Sequence, residues 1–170
     1  LFWPEAVPDR FEDLRIPFAA VAADYHLHCE VMLASGPLTP AVAASLAIPG
    51  LVRPVVIDGR VLIDGGAINP LPYDQLPAPN RIVMAVDTSA PATVSEARIP
   101  EPLEAMVGVS QILMRTLVQR MIERNPPDLL IRAGVDGIGG LDFFKTKAIL
   151  DASEPIKDEV KRRLAALLQR

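Results

Sequence analysis

One stretch of this sequence stands out for its chemistry: Ile63-Asp64-Gly65-Gly66-Ala67-Ile68-Asn69-Pro70-Leu71-Pro72. A carboxylate ends an apolar run and two glycines follow it. Glycine lets a backbone turn sharply and lets a second segment approach closely. Two prolines then stiffen the exit. Such a pattern holds a carboxylate rigidly at the carboxyl edge of a sheet, where open α/β sheets place their ligands. Taken alone, the tripeptide also reads as an ordinary turn with Asp64 as its polar cap.

Two other stretches invite a chemical reading. In His26-Leu27-His28-Cys29, two imidazoles would share one face of a strand, as a pair of zinc ligands would. No second cluster completes a ligand set, so the expectation is a surface or strand-end pair and no metal. A histidine acting beside Asp64 is the remaining option. Gly134-Val135-Asp136-Gly137-Ile138-Gly139-Gly140 is glycine-rich but fits neither phosphate-binding fingerprint, and reads as a flexible connection.

The elements that must position Asp64 follow from local patterns. Ile16 to Val21 and Glu30 to Leu33 read as strands, the second closed by Ser35-Gly36-Pro37. Pro40 to Ala47 reads as a short helix with Thr39 as N-cap, ended by Pro49-Gly50. Val55 to Ile57 and Val61 to Ile63 flank Asp58-Gly59-Arg60, a strong hairpin signal. The second of these strands runs straight into Asp64. Ile82 to Val86 is a continuous apolar run that predicts a buried strand.

Pro102 to Arg124 predicts a long amphipathic helix, with Leu103, Met106, Val107, Ile112, Leu113, Leu117 and Met121 on its apolar face. Asn125-Pro126-Pro127 stops it. Asp128 to Ile131 predicts a short strand. Ile156, Val160, Leu164 and Leu167 define a last helix, with Ser153 as a possible N-cap. Strands alternating with helices point to α/β architecture.

Composition narrows the function classes. At 170 residues, one domain is the natural expectation. Half the residues are hydrophobic and 22% are charged, which suits a packed core and not a disordered chain. The longest apolar runs fall well short of the roughly 20 residues of a membrane span. Leu1-Phe2-Trp3-Pro4-Glu5 has neither a basic leader nor an initiator methionine, so the natural beginning is expected to lie elsewhere. A net charge of −4 argues against nucleic acid as a partner. The single cysteine, Cys29, excludes an internal disulfide framework and fits a reducing compartment. In the last helix Lys157, Lys161, Arg162, Arg163 and Arg170 suggest a peripheral membrane surface. Asp158 and Glu159 dilute that charge, which favours a plain solvated face.

Taken in order, the pieces are more specific than any one of them. Asp13-Leu14-Arg15-Ile16-Pro17-Phe18 leads to Val21-Ala22-Ala23-Asp24. Then come Ser35-Gly36-Pro37-Leu38, Ala43-Ala44-Ser45-Leu46-Ala47-Ile48-Pro49-Gly50, the hairpin, and Asp64-Gly65-Gly66 with Asn69-Pro70-Leu71-Pro72. This series resembles the patatin-like phospholipase family, particularly its small bacterial members. The resemblance is densest from Asp13 to Leu76. It continues more weakly through Val83-Met84-Ala85-Val86-Asp87, Asp128-Leu129-Leu130-Ile131 and Leu141-Asp142-Phe143. One departure is at His28, near which many relatives carry glycine.

The resemblance implies a three-layer α/β/α domain that cleaves acyl esters of lipids with a serine–aspartate dyad and no cofactor. Asp64 would be the catalytic carboxylate, Gly65 and Gly66 would shape its loop, and Asn69 would tie that loop down. The dyad uses no histidine. The family serine lies earlier, in a Gly-x-Ser-x-Gly elbow, and a glycine-rich loop supplies oxyanion-stabilising N–H groups. Neither element is in this sequence. Gly108-Val109-Ser110-Gln111-Ile112 lacks the second glycine and falls inside a helix, without the strand-to-helix turn that exposes a nucleophile. The chain is thus expected to be the C-terminal part of one such domain, completed by a missing N-terminal half. The expected partner is a lipid or fatty-acyl ester, in the cytoplasm or at a membrane surface. The competing class is an inactive patatin-like module that binds lipid or another partner without turnover.

Overall fold

In the computed structural model, the described residues are 4, 6–76, 80–89, 99–133 and 145–169. The Gly134–Gly140 and Leu141-Asp142-Phe143 readings lie outside them. The α/β class holds, with helices and strands in each of two compact units. One unit comprises residues up to Pro72 together with Pro100–Arg120; the other comprises Tyr73–Ile99 and Met121–Arg170.

The first unit is built on four antiparallel strands: β1 (Ala20–Asp24), β2 (Cys29–Leu33), β3 (Val55–Ile57) and β4 (Arg60–Asp64). Their order across the sheet is β2-β1-β4-β3. β1 pairs with β2 from Ala20↔Leu33 to Asp24↔Cys29, and with β4 from Ala22↔Asp64 to Asp24↔Leu62. Side chains alternate across a strand, so this register assigns each residue a face. Ala22, Val31 and Leu62 share one face, and on it they pack with Ala44 of helix α1 (Leu38–Ser45). The alanines of β1 and α1 allow close approach of helix and sheet. A second apolar cluster joins Phe11, Leu38 and Ala41 beside it.

The β3–β4 hairpin forms as its sequence predicts. Asp58 and Gly59 take φ of 48° and 76°, the left-handed pair that suits the twist of a tight hairpin. On the same face as Leu62, Arg60 Nε donates to Asp24 Oδ2 at 2.7 Å and Nη2 reaches Cys29 Sγ at 3.3 Å. The guanidinium, with backbone N–H donors from Leu27 and His26, holds the Asp24 carboxyl down to about 2. This polar cluster closes the end of the sheet opposite Asp64.

Several boundaries differ from the sequence reading. The first strand starts at Ala20, not Ile16: Pro17 has no N–H to give a ladder, and Ile16 is exposed. Helix α1 starts at Leu38, and Thr39 is not its cap. Its first N–H is satisfied by Asp9 O at 2.7 Å, while Pro40 is tolerated within the first turn. The long helix α2 runs from Pro102 to Arg124 as predicted, but its packed face is turned from the predicted one. Val118 is buried and Val107, Gln111 and Met114 are partly so, whereas Met106, Ile112 and Leu113 are exposed.

The second unit pairs β5 (Met84–Asp87) with β6 (Leu129–Arg132) in parallel, from Met84↔Leu129 to Asp87↔Arg132. Asp128 Oδ2 accepts from Val83 N–H at 2.7 Å and so sets the start of the pair. β5 is not the fully buried strand its apolar run suggested. Ala85 is buried, but Met84 and Val86, on the alternate face, are exposed. The last helix, α3 (Thr146–Leu168), begins about two turns before Ser153 and runs through Pro155. Ser153 is therefore not a cap; its hydroxyl donates to Leu150 O within the helix. The basic residues of α3 pair locally: Lys157 with Glu154, Lys161 with Asp158, and Arg163 with Glu159. Among the described residues no helix is long and apolar enough to cross a membrane.

Candidate active site

Asp64 is the last residue of β4, and its neighbours fix it through its backbone and its side chain. Its N–H donates to Ala47 O at 3.1 Å, which ties it to the exit of α1. Its Oδ1 accepts from Gly66 N–H at 2.7 Å, capping a single 3-10 turn, Gly65–Ala67. The turn is closed by Ile68 and Asn69, whose N–H groups both donate to Gly65 O, at 3.0 and 2.8 Å. Oδ2 receives no hydrogen bond from the described residues and is available for chemistry.

The two glycines are needed for proximity, not for unusual torsion angles. Neither is among the residues with positive φ. A Cβ at Gly65 would stand 2.2 Å from Val21 O, against the backbone of β1. One at Gly66 would stand 2.6 Å from Met114 Sδ and 3.0 Å from Asp64 Oδ1. The loop is thus pressed onto the sheet on one side and under α2 on the other. Of the two roles the sequence suggested for these glycines, close approach is the one used.

Asn69 reaches from the loop to β2. It is 6% exposed, and its Nδ2 donates to Glu30 Oε2 on β2 at 2.8 Å. Sequence reasoning missed Glu30. It lies far before Asp64 in the chain and gains its meaning only through the strand order, which no local pattern encodes.

Asp64, Gly65, Gly66 and Asn69 line one cavity of about 410 Å³. Most of its wall is apolar: Phe18, Val21, Val42, Leu46, Pro70 and Met114. Ser45, the last residue of α1, is the hydroxyl in that lining. Burial pushes the half-buried Asp64 carboxyl above its ordinary value. The Gly66 N–H opposes this and is the smaller effect. A carboxylate shifted this way is a better base near neutral pH than a solvated one.

The other sequence candidates fall away from this cavity. His26 and His28 are not on a strand. They occupy the exposed turn between β1 and β2, with the Tyr25 and His26 rings edge to face, and His28 takes φ 52°. That left-handed conformation favours glycine, so histidine is strained there. No group of metal-ligating side chains forms among the described residues. Ser110 lies within α2, and its hydroxyl donates to Met106 O at 3.3 Å.

A family model for patatin-like phospholipases matches residues 6–77, the segment that contains β1 to β4, α1 and the Asp64 loop. Over that segment the chain is similar to patatin-like phospholipases. Part of the chain is also similar to curated proteins. An uncharacterized NTE family protein of Mycobacterium tuberculosis is 40% identical over 96 residues, which is 56% of this chain and 26% of that protein. One from Mycobacterium bovis matches to the same extent. A second NTE family protein of Mycobacterium tuberculosis is 36% identical over 77 residues, 45% of this chain and 12% of its own length. The aligned part therefore spans about a quarter, or less, of these relatives.

Proposed function

We propose that this chain contributes the catalytic carboxylate of a serine acyl-ester hydrolase acting on lipid or fatty-acyl esters. The observation that carries the proposal is Asp64 itself. It is a half-buried carboxylate, anchored through one oxygen, with the other free for chemistry at an apolar-walled cavity. The wall suits the hydrocarbon part of an acyl ester, which gains by leaving water. The similarity of residues 6–77 to patatin-like phospholipases supports the chemistry.

In the proposed reaction a serine hydroxyl attacks the ester carbonyl while Asp64 Oδ2 takes its proton. Asp64 passes that proton to the alcohol as it leaves, and an acyl-enzyme remains. Asp64 then takes a proton from water, which attacks the acyl-enzyme, and returns that proton to the serine oxygen as the acid is freed. The Gly66 N–H keeps the carboxylate aimed through both steps. Its raised pKa brings it toward the range where a carboxylate accepts protons usefully.

The serine is proposed to come from a segment outside these 170 residues, since neither Ser110 nor Ser45 stands on a strand-to-helix elbow. That segment, a missing N-terminal half of the domain, is the proposed protein partner. The test is labelling of the protein at its natural length with a fluorophosphonate, followed by peptide mapping. Label on a serine outside residues 1–170 is the expected result. Label on Ser45 would relocate the nucleophile to this chain, and no label at all would favour an inactive binding module.

A further inference from the structure

Beyond the catalytic carboxylate, the sheet carries a charged residue that the proposed mechanism does not use. Glu30 lies on β2, two strands away from Asp64, in register with Ala23 of β1 and, through it, with Ile63 of β4. These three side chains share the face opposite α1. On that row Ala23 offers only a methyl group, so a loop leaving β4 can pass over β1 and reach β2. The loop does so: Asn69 Nδ2 meets Glu30 Oε2 at 2.8 Å.

We propose that Glu30 is a positioning residue for Asp64, acting through Asn69. The loop from Asp64 to Asn69 is pinned at two places. At its start, Gly65 is pressed against Val21 O of β1. At its end, Asn69 is bonded to Gly65 O through its backbone and to Glu30 through its side chain. Between the pins lies Gly66 N–H, the donor that aims Asp64. Removing the Glu30 bond weakens the hold on the end of the turn, lets water in beside Asp64 and loosens the Gly66 donor. An ionised acceptor strengthens the bond to a nearly buried amide, which explains a carboxylate at this place on an edge strand. The proposal rests on the reading of Asp64 as the catalytic base and adds the device that holds it.

The experiment follows the Asp64 carboxyl directly, by carbon-13 NMR titration of aspartate-labelled protein at its natural length, with D64N for assignment. In the E30A variant the Asp64 midpoint is expected to move down toward its ordinary value. In E30Q, which keeps an acceptor for Asn69 but removes the charge, the midpoint is expected to stay raised. N69D sets two carboxylates against each other and is expected to behave like E30A. The double variant E30Q/N69D reverses donor and acceptor and is expected to restore the wild-type midpoint. A midpoint unchanged in E30A, or shifted equally in E30A and E30Q, would overturn the proposal, the latter as a plain charge effect. If E30A does not fold, the comparison of N69D with E30Q/N69D decides in the same way. Ester turnover is measured on the same samples. A loss of about tenfold or more in kcat, with KM within about threefold, is expected for E30A. Turnover that survives D64N would sink the dyad reading, whatever Glu30 does.

Discussion

At the residue scale, Asp64 is a group whose surroundings trade stability for chemistry. Burial favours its protonated form, so the folded chain keeps the proton to a higher pH than the unfolded chain, where the ordinary value is 3.8. Stability from this residue is therefore full below 3.8, falls as pH rises through the folded value, and stays lower above it. The amide introduced by D64N keeps an acceptor for Gly66 N–H without carrying a charge. The D64N variant is expected to melt higher than wild type at about pH 7 and equally at about pH 3, as followed by circular dichroism. A variant that melts lower near neutral pH would mean that the ionised carboxylate has a stabilising partner. The bond from Gly66 N–H and the lining by Phe18, Leu46 and Met114 were not legible in the sequence. The carboxylate itself was, because Asp-Gly-Gly after an apolar strand is a local pattern.

At the element scale, close approach and turn geometry make separate demands. Gly65 needs the absence of a Cβ, because Val21 O is backbone and cannot move aside. Gly65→Ala is expected to destabilise the fold by about 2 kcal/mol or more, read from chemical denaturation. A change within about 0.5 kcal/mol would mean that the loop is not pressed on β1. His28 presents the opposite case. Its φ of 52° strains a residue with a Cβ, and its side chain is exposed. Gly there removes the strain but adds freedom to the unfolded chain. The net expectation for His28→Gly is a gain of about 0.5 kcal/mol, and a loss of stability would point to an unrecognised role for the imidazole. The hairpin at Asp58-Gly59 and the bounds of α2 were legible because turn chemistry and helical period are local. The packed face of α2 was not. Met106, Ile112 and Leu113 fit the period as well as Met114 and Val118 do, and tertiary packing alone chose between the two faces.

At the scale of the whole molecule, the four-strand sheet with α1 brings together residues far apart in sequence: Glu30, Asp64, Asn69 and Met114. α/β character could be read from alternating elements, whereas the antiparallel order β2-β1-β4-β3 depends on long-range pairing that no short motif states. The aligned part is about a quarter of its mycobacterial relatives, and the catalytic proposal is a claim about the longer protein. Met106, Val109, Ile112 and Leu113 form an exposed apolar stripe on α2.

The most direct test of Asp64 as the catalytic base is hydrolysis of a p-nitrophenyl acyl ester by the protein at its natural length, wild type against D64N, across pH. Turnover is expected to fall by about 100- to 10,000-fold in D64N, the usual share of a general base. The wild-type kcat/KM is expected to rise with pH through a midpoint above 3.8, the ordinary carboxylate value. A folded D64N protein that turns over within about threefold of wild type would contradict the account.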